Sequence, residues 1–171
     1  MGIEPGAGSH YAWRVTRLLL LVLSCLMPGF LPAAEPVIKK VLPHYLDQEG
    51  RHTLAPSLYE RDAYQDYLRN HPEACSALRF DVLFKADSST NLQLRVQLRG
   101  TKDSKPTRLE TASPILTHNG GRTWSHVTLP SSDFDRVGNL LAWKVTLLEG
   151  GRELASQASF LWQSDPPKAI P

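Results

Sequence analysis

The sequence predicts a mainly β fold, an antiparallel β-sandwich of about seven strands with one helix inserted after the first strand. Three observations point there. Apolar residues recur with period two over Leu78–Phe84, Leu92–Leu98 and Leu141–Leu147. Turn residues punctuate these runs at spacings of about 8 to 12 residues, as in small sandwiches. The Ser57-Leu58-Tyr59-Glu60 capping box behind Pro56 marks the start of a helix.

Taken in order, Val37–Leu42 reads as a short first strand that Pro43 ends. The capping box opens a helix over Leu58–Asn70, stopped by His71-Pro72. Its inner side is expected to hold Leu58, Tyr59, Ala63, Tyr67 and Leu68, with Arg61, Asp62, Gln65, Asp66 and Arg69 outward. Leu78–Phe84 and Leu92–Arg99 are expected to be two strands joined by a polar turn over Ala86–Asn91, followed by a solvated loop at Lys102–Pro106. Thr107–Thr111 and Ile115–His118 are weaker strands. Asn119-Gly120-Gly121 should turn the chain into Thr123–Leu129, and Glu149-Gly150-Gly151-Arg152 should turn the Leu141–Leu147 strand into a return strand over Leu154–Trp162.

Before the first strand, Arg14 and Arg17 precede the apolar run Leu18–Leu23, which leads through Pro28 to Ala33-Ala34. This is the layout of a secretory signal peptide, and its apolar stretch is shorter than the roughly 20 residues a spanning helix needs. Val22-Leu23-Ser24-Cys25 offers the alternative of a bacterial lipobox, with lipid attached at Cys25. Either route makes the protein exported, periplasmic or extracellular, and joined to the membrane only through its signal or that lipid. The expected organisation is a signal peptide over 1–34, first strand, loop and helix over 35–77, sandwich core over 78–165 and a flexible tail over 166–171.

Removal of residues 1–34 takes Arg14, Arg17 and Glu4, so the net charge of +2 on the 171-residue chain drops to about +1. Basic and acidic residues interleave throughout, which leaves no stripe for releasing nucleic-acid counterions and excludes nucleic acid as a partner. Of the two cysteines, Cys25 leaves with a cleaved leader and Cys75 stands alone among Ala74, Ala77 and Leu78, where burial is expected.

The segment Trp143-Lys144-Val145-Thr146-Leu147-Leu148-Glu149-Gly150-Gly151-Arg152-Glu153-Leu154 resembles the last two strands of immunoglobulin-like and fibronectin-type-III-like modules of exported bacterial proteins. The likeness covers roughly Leu78 to Trp162. It departs from antibody-type domains in lacking the inter-sheet cysteine pair and in its helical insertion. It implies an immunoglobulin-like sandwich that binds, spaces or scaffolds.

The residues suited to recognition gather in one segment. Tyr45, Arg51, His52, Tyr59, Arg61, Tyr64 and Tyr67 combine area, rigidity and hydrogen bonding, as interface residues do. They form either a contact surface or a plug over one end of the sandwich. Trp124 follows a turn between Arg122 and His126 and is a further binding candidate, whereas Trp143 and Trp162 fall in register with core positions. His118 and His126 are expected to flank the Asn119–Gly121 turn. No histidine pair has metal-ligand spacing, Asp133-Phe134-Asp135 lacks the rest of a calcium loop, and neither a Gly-x-Ser-x-Gly elbow nor a phosphate-cradling loop occurs. No catalytic residue, metal or cofactor is therefore expected. The function expected is a non-enzymatic binding or scaffolding module that recognises a protein or polysaccharide partner in the cell envelope. A carbohydrate-binding module is the first alternative and a small hydrolase the second.

Overall fold

A computed structural model describes residues 35–162, together with Gly2. The expected signal peptide, Cys25 and the tail over 166–171 lie outside the described residues. The chain runs β1 (Val37–Asp47), α1 (Leu58–Asn70), a single 3-10 turn (Pro72–Ala74), β2 (Cys75–Lys102), β3 (Lys105–Ala112), β4 (Leu116–Pro130), α2 (Ser131–Val137), β5 (Asn139–Glu149) and β6 (Arg152–Ala158). All six strands belong to one antiparallel sheet.

β2 is its axis. The first half of this 28-residue strand pairs with β1 and β4, the second half pairs with β3 and β5, and β6 extends the sheet beyond β5. Even-numbered residues face inward along both halves: Leu78, Phe80, Val82 and Phe84, then Leu92, Leu94, Val96 and Leu98, all essentially inaccessible to water. One core takes side chains from both halves, so the sheet has to curl. Phe80, in the first half, meets Trp143 of β5 edge to face with ring centroids 6.0 Å apart. β5 pairs only with the second half.

This architecture revises several local expectations. Ala86–Asn91 does not reverse the chain, because this polar stretch pairs with β4 and β2 passes straight through it. Asn119-Gly120-Gly121 is no hairpin turn either. Gly120 and Gly121 do adopt the positive φ angles read from the sequence, 86° and 85°, but they kink β4 opposite Ala86–Ser88 without ending it. His118 and His126 consequently lie along one strand. His118 is buried against the Phe84 ring, 5.3 Å away between centroids, while His126 is exposed.

The sharp turn falls instead at Asp103-Ser104, where φ angles of 50° and 61° close a two-residue hairpin between Lys102 and Lys105. Pro43 does not stop β1, which continues to Asp47; as an edge strand it tolerates the missing N–H. Residues 133–135 fall within α2. A bulge opposite Arg99 and Gly100 shifts the inward parity of β5 from Leu141 to Leu140, leaving Leu141 exposed. The Glu149–Arg152 hairpin forms as read, but its return strand ends at Ala158. Trp162 is therefore no core residue. Its half-buried ring lies under the Arg99 guanidinium, 4.0 Å from the ring centroid.

Candidate binding surface

The helix forms where the capping box places it, with the Ser57 hydroxyl accepting from the Glu60 amide at 3.5 Å. Its inner face differs from the expected one. Leu68 is fully buried, Tyr64 and Gln65 are half-buried, and Leu58, Tyr59, Ala63 and Tyr67 point to solvent. Positions 61, 64, 65 and 68 form the inward stripe, a spacing as helical as the one expected. Two polar anchors choose between them.

The first anchor is Gln65. β1 pairs with β2 alone, which leaves the outward backbone groups of Tyr45 without a strand partner. The Gln65 side-chain amide supplies one. Its Oε1 accepts from the Tyr45 N–H at 2.8 Å, and its Nε2 donates to the Tyr45 carbonyl at 2.9 Å and to the His52 carbonyl at 2.8 Å. A mid-helix side chain thus closes part of a sheet edge.

The second anchor is Asp47, a buried carboxylate at the end of β1. Its Oδ1 accepts from the backbone amides of Glu49 at 3.0 Å and Arg51 at 2.8 Å. Its Oδ2 accepts from Arg51 Nε at 2.8 Å and from the Tyr64 hydroxyl at 2.7 Å. Burial pulls this carboxyl's pKa upward, and the Arg51 amide, the Tyr64 hydroxyl and the Arg51 guanidinium overrule it, holding the pKa at about 2. Burial and the Asp47 charge push the Tyr64 hydroxyl the other way, so it stays a donor. Ser76 donates to the Asp47 carbonyl and ties the knot to the start of β2.

These anchors sort the residues singled out by sequence. Tyr45 packs against the core, its ring edge toward Phe134 at 6.2 Å, and burial raises its pKa. Arg51 and Tyr64 are parts of the knot. The His52 ring stacks on His44 at 4.5 Å, and burial, followed by the neighbouring His44 and Arg79 side chains, lowers its pKa. His44 Nδ1 lies 2.9 Å from Asp81, which also accepts from Arg79. Arg61 pairs with the adjacent Asp62 at 2.8 Å. Tyr59 stands apart from all of these, 83% exposed, beside Leu58 at 67% and near Leu54 at 62% in sequence. Trp124 does not join them. It is 51% exposed on β4, on the opposite side of β2 from β1, in the row of Leu83, whereas Tyr45 lies in the row of Leu78.

Asp47 and Gln65 escaped the reading by residue type. Asp47-Gln48-Glu49-Gly50, with Asp first and Gly fourth, is the signature of a type I turn and was the available signal for the first. Nothing in the local pattern marks Gln65. Cys75 is buried, its thiol donating to the Leu68 carbonyl at 3.1 Å, and burial raises its pKa. Among the described residues, no group of three or more His, Cys, Asp and Glu side chains is placed to share a metal ion.

The molecule also has clefts. One of about 540 Å³ lies where the C-terminal turn of α1, the Asp103-Ser104 hairpin and α2 meet, with Tyr45, Leu68 and Phe134 among its lining residues and Arg69 and Lys102 alongside. A second, of about 530 Å³, lies beside Arg99, Arg108, Lys144 and Trp162. Neither a family model nor a curated protein matches this chain.

Proposed function

We propose that this protein is an exported, non-enzymatic binding or scaffolding module that recognises a macromolecular partner in the cell envelope, and that the outer side of α1 is its contact surface. The curled sheet serves as an immunoglobulin-like sandwich, with the two halves of β2 in facing layers. The observation that carries the reading is the contrast within one segment. Tyr45, Tyr64 and Leu68 fasten the segment to the core, while Leu54, Leu58 and Tyr59 project apolar area into water. Apolar exposure on an anchored segment favours association, since little conformational entropy remains to be lost on binding.

The discriminating variant is Tyr59→Ala. Arg51 is unsuitable, because its removal opens the knot. Capture of a partner from detergent-solubilised envelope by the Tyr59→Ala protein should fall at least tenfold, with the thermal midpoint unchanged. Undiminished capture by this variant contradicts the assignment. Intact mass of the exported protein tests the leader: a chain beginning near residue 34 or 35 supports cleavage, and a lipid-modified chain beginning at Cys25 supports an envelope lipoprotein.

A further inference from the structure

The outer face of the first half of the sheet carries a different set of side chains. Here the odd-numbered residues of β2 point away from the core, and the register sets Arg122 of β4 directly opposite Lys85. The next row runs from Lys40 of β1 through Leu83 to Trp124 of β4. Lys40, Lys85 and Arg122 are exposed, and none of their charged groups has an ion-pair or hydrogen-bond partner among the described residues. The nearest carboxylates along β2 leave this charge standing. Asp81 is held by His44 at 2.9 Å and by Arg79 at 3.0 Å, and Asp87 makes no ion pair among the described residues. Like charges directly opposite on paired strands, with Cβ atoms about 5 Å apart, repel, so Lys85 and Arg122 gain from an anion set between them.

We propose that this face binds a uronic-acid polysaccharide, with carboxylates held by Arg122 and Lys85 and a sugar ring laid on Trp124. Trp124 is 51% exposed, and its indole makes no ring-stacking or cation–π contact among the described residues. Beside it, at the kink of β4, lies a cleft of about 390 Å³ whose lining includes Arg122, Trp124, Asn119 and His118. His118 is only 7% exposed, and its Nε2 lies 3.3 Å from the Ala86 carbonyl. A carbonyl can only accept, so in the neutral ring Nε2 carries the proton and Nδ1 is an acceptor. That acceptor has no partner among the described residues.

The mixture of groups selects the kind of anion. A guanidinium presents paired donors at the spacing of carboxylate oxygens, and an open indole face suits the C–H face of a sugar ring. A buried acceptor beside these cations calls for a ligand that brings hydroxyls as well as negative charge. A lipid surface fits less well, because the other exposed side chains along this stretch of β4 are Arg122, His126 and Thr128, with no further apolar area to insert. This site is independent of α1 and goes beyond the contact surface proposed there.

The test uses the full chain with oligogalacturonate as probe and a neutral maltooligosaccharide of equal length as control, read by calorimetry. Saturable binding of oligogalacturonate alone is expected. It should weaken at least tenfold in Arg122→Ala and Trp124→Ala, weaken less in Arg122→Lys, which keeps the charge and loses the fork, and stay unchanged in Tyr59→Ala. Circular dichroism checks that each variant is folded. Equal binding of the neutral oligomer, or full affinity in a folded Arg122→Ala or Trp124→Ala protein, would overturn the proposal. Equal binding of polyglutamate would also overturn it, by showing that charge alone is read. So would failure of oligogalacturonate to bind, and capture by phosphatidylglycerol vesicles in that case would reassign the face to an anionic membrane.

Discussion

The curled sheet and the arm formed by the end of β1, its following loop and α1 are held by different physics. The sheet rests on a continuous apolar interior in which both halves of β2 contribute alternate residues, from Leu78 to Leu98. The arm contributes Leu68 and the rings of Tyr45 and Tyr64 to that interior and otherwise depends on two polar side chains, Asp47 and Gln65. Apolar burial is spread over many residues, so no single one carries it. A buried carboxylate with four donors concentrates stability in one group, because each donor it loses is left without a partner. The sheet should therefore fail as a whole, and the arm by release of one clasp.

The largest effect expected is that of Phe80→Ala. This ring is fully buried where the two halves of the sheet meet, so its truncation should cost about 3–5 kcal/mol. The loss should appear as one cooperative shift in chemical denaturation, sheet and arm together. Separate transitions of the two halves of β2 would break the contrast, since the sheet would then not fail as a whole. Asp47→Asn comes next. The amide keeps an acceptor for the backbone N–H groups but turns a donor toward Arg51 and Tyr64, at a cost of about 2 kcal/mol confined to the arm.

Acid sharpens the same contrast without mutation. The Asp47 carboxyl titrates near 2 in the folded protein, below its ordinary value of 3.8, so the unfolded arm takes up a proton first as pH falls. The knot's contribution is complete above about pH 4 and is lost as pH falls toward 2. Limited proteolysis around residues 48–57 should accelerate over that window in the native protein and show no such dependence in Asp47→Asn. The smallest effect is that of Tyr59→Ala on stability. This side chain is exposed, so the change should stay within about 0.5 kcal/mol while partner capture is lost.

The legibility of these two regions in the sequence was also unequal. Period-two patterning identified the inward residues of β2 correctly, because burial on one face dictates alternation whatever the topology. It could not show that Leu78–Phe84 and Leu92–Arg99 are one strand. A polar stretch such as Ala86–Asn91 is equally compatible with a turn or with exposed strand, and pairing with β4 decides it. Gly120-Gly121 announced positive φ angles, which serve a kinked strand as well as a hairpin. In the arm, the cap and the limits of α1 are local chemistry and were readable. Its inward face was not, because it is chosen by hydrogen bonds from Gln65 to Tyr45 and from Tyr64 to Asp47, contacts 20 and 17 residues apart.

The most direct test of the arm's dependence on its clasp is native-state hydrogen exchange of the wild-type and Asp47→Asn proteins, followed amide by amide. Exchange in the loop and α1 should accelerate about 30-fold in the variant, the kinetic equivalent of roughly 2 kcal/mol, while the β2 amides of Phe80–Phe84 and Leu94–Leu98 keep their protection. Equal acceleration in β2 and α1 would contradict the account, since it would make the arm and the sheet a single cooperative unit with no separate clasp at Asp47.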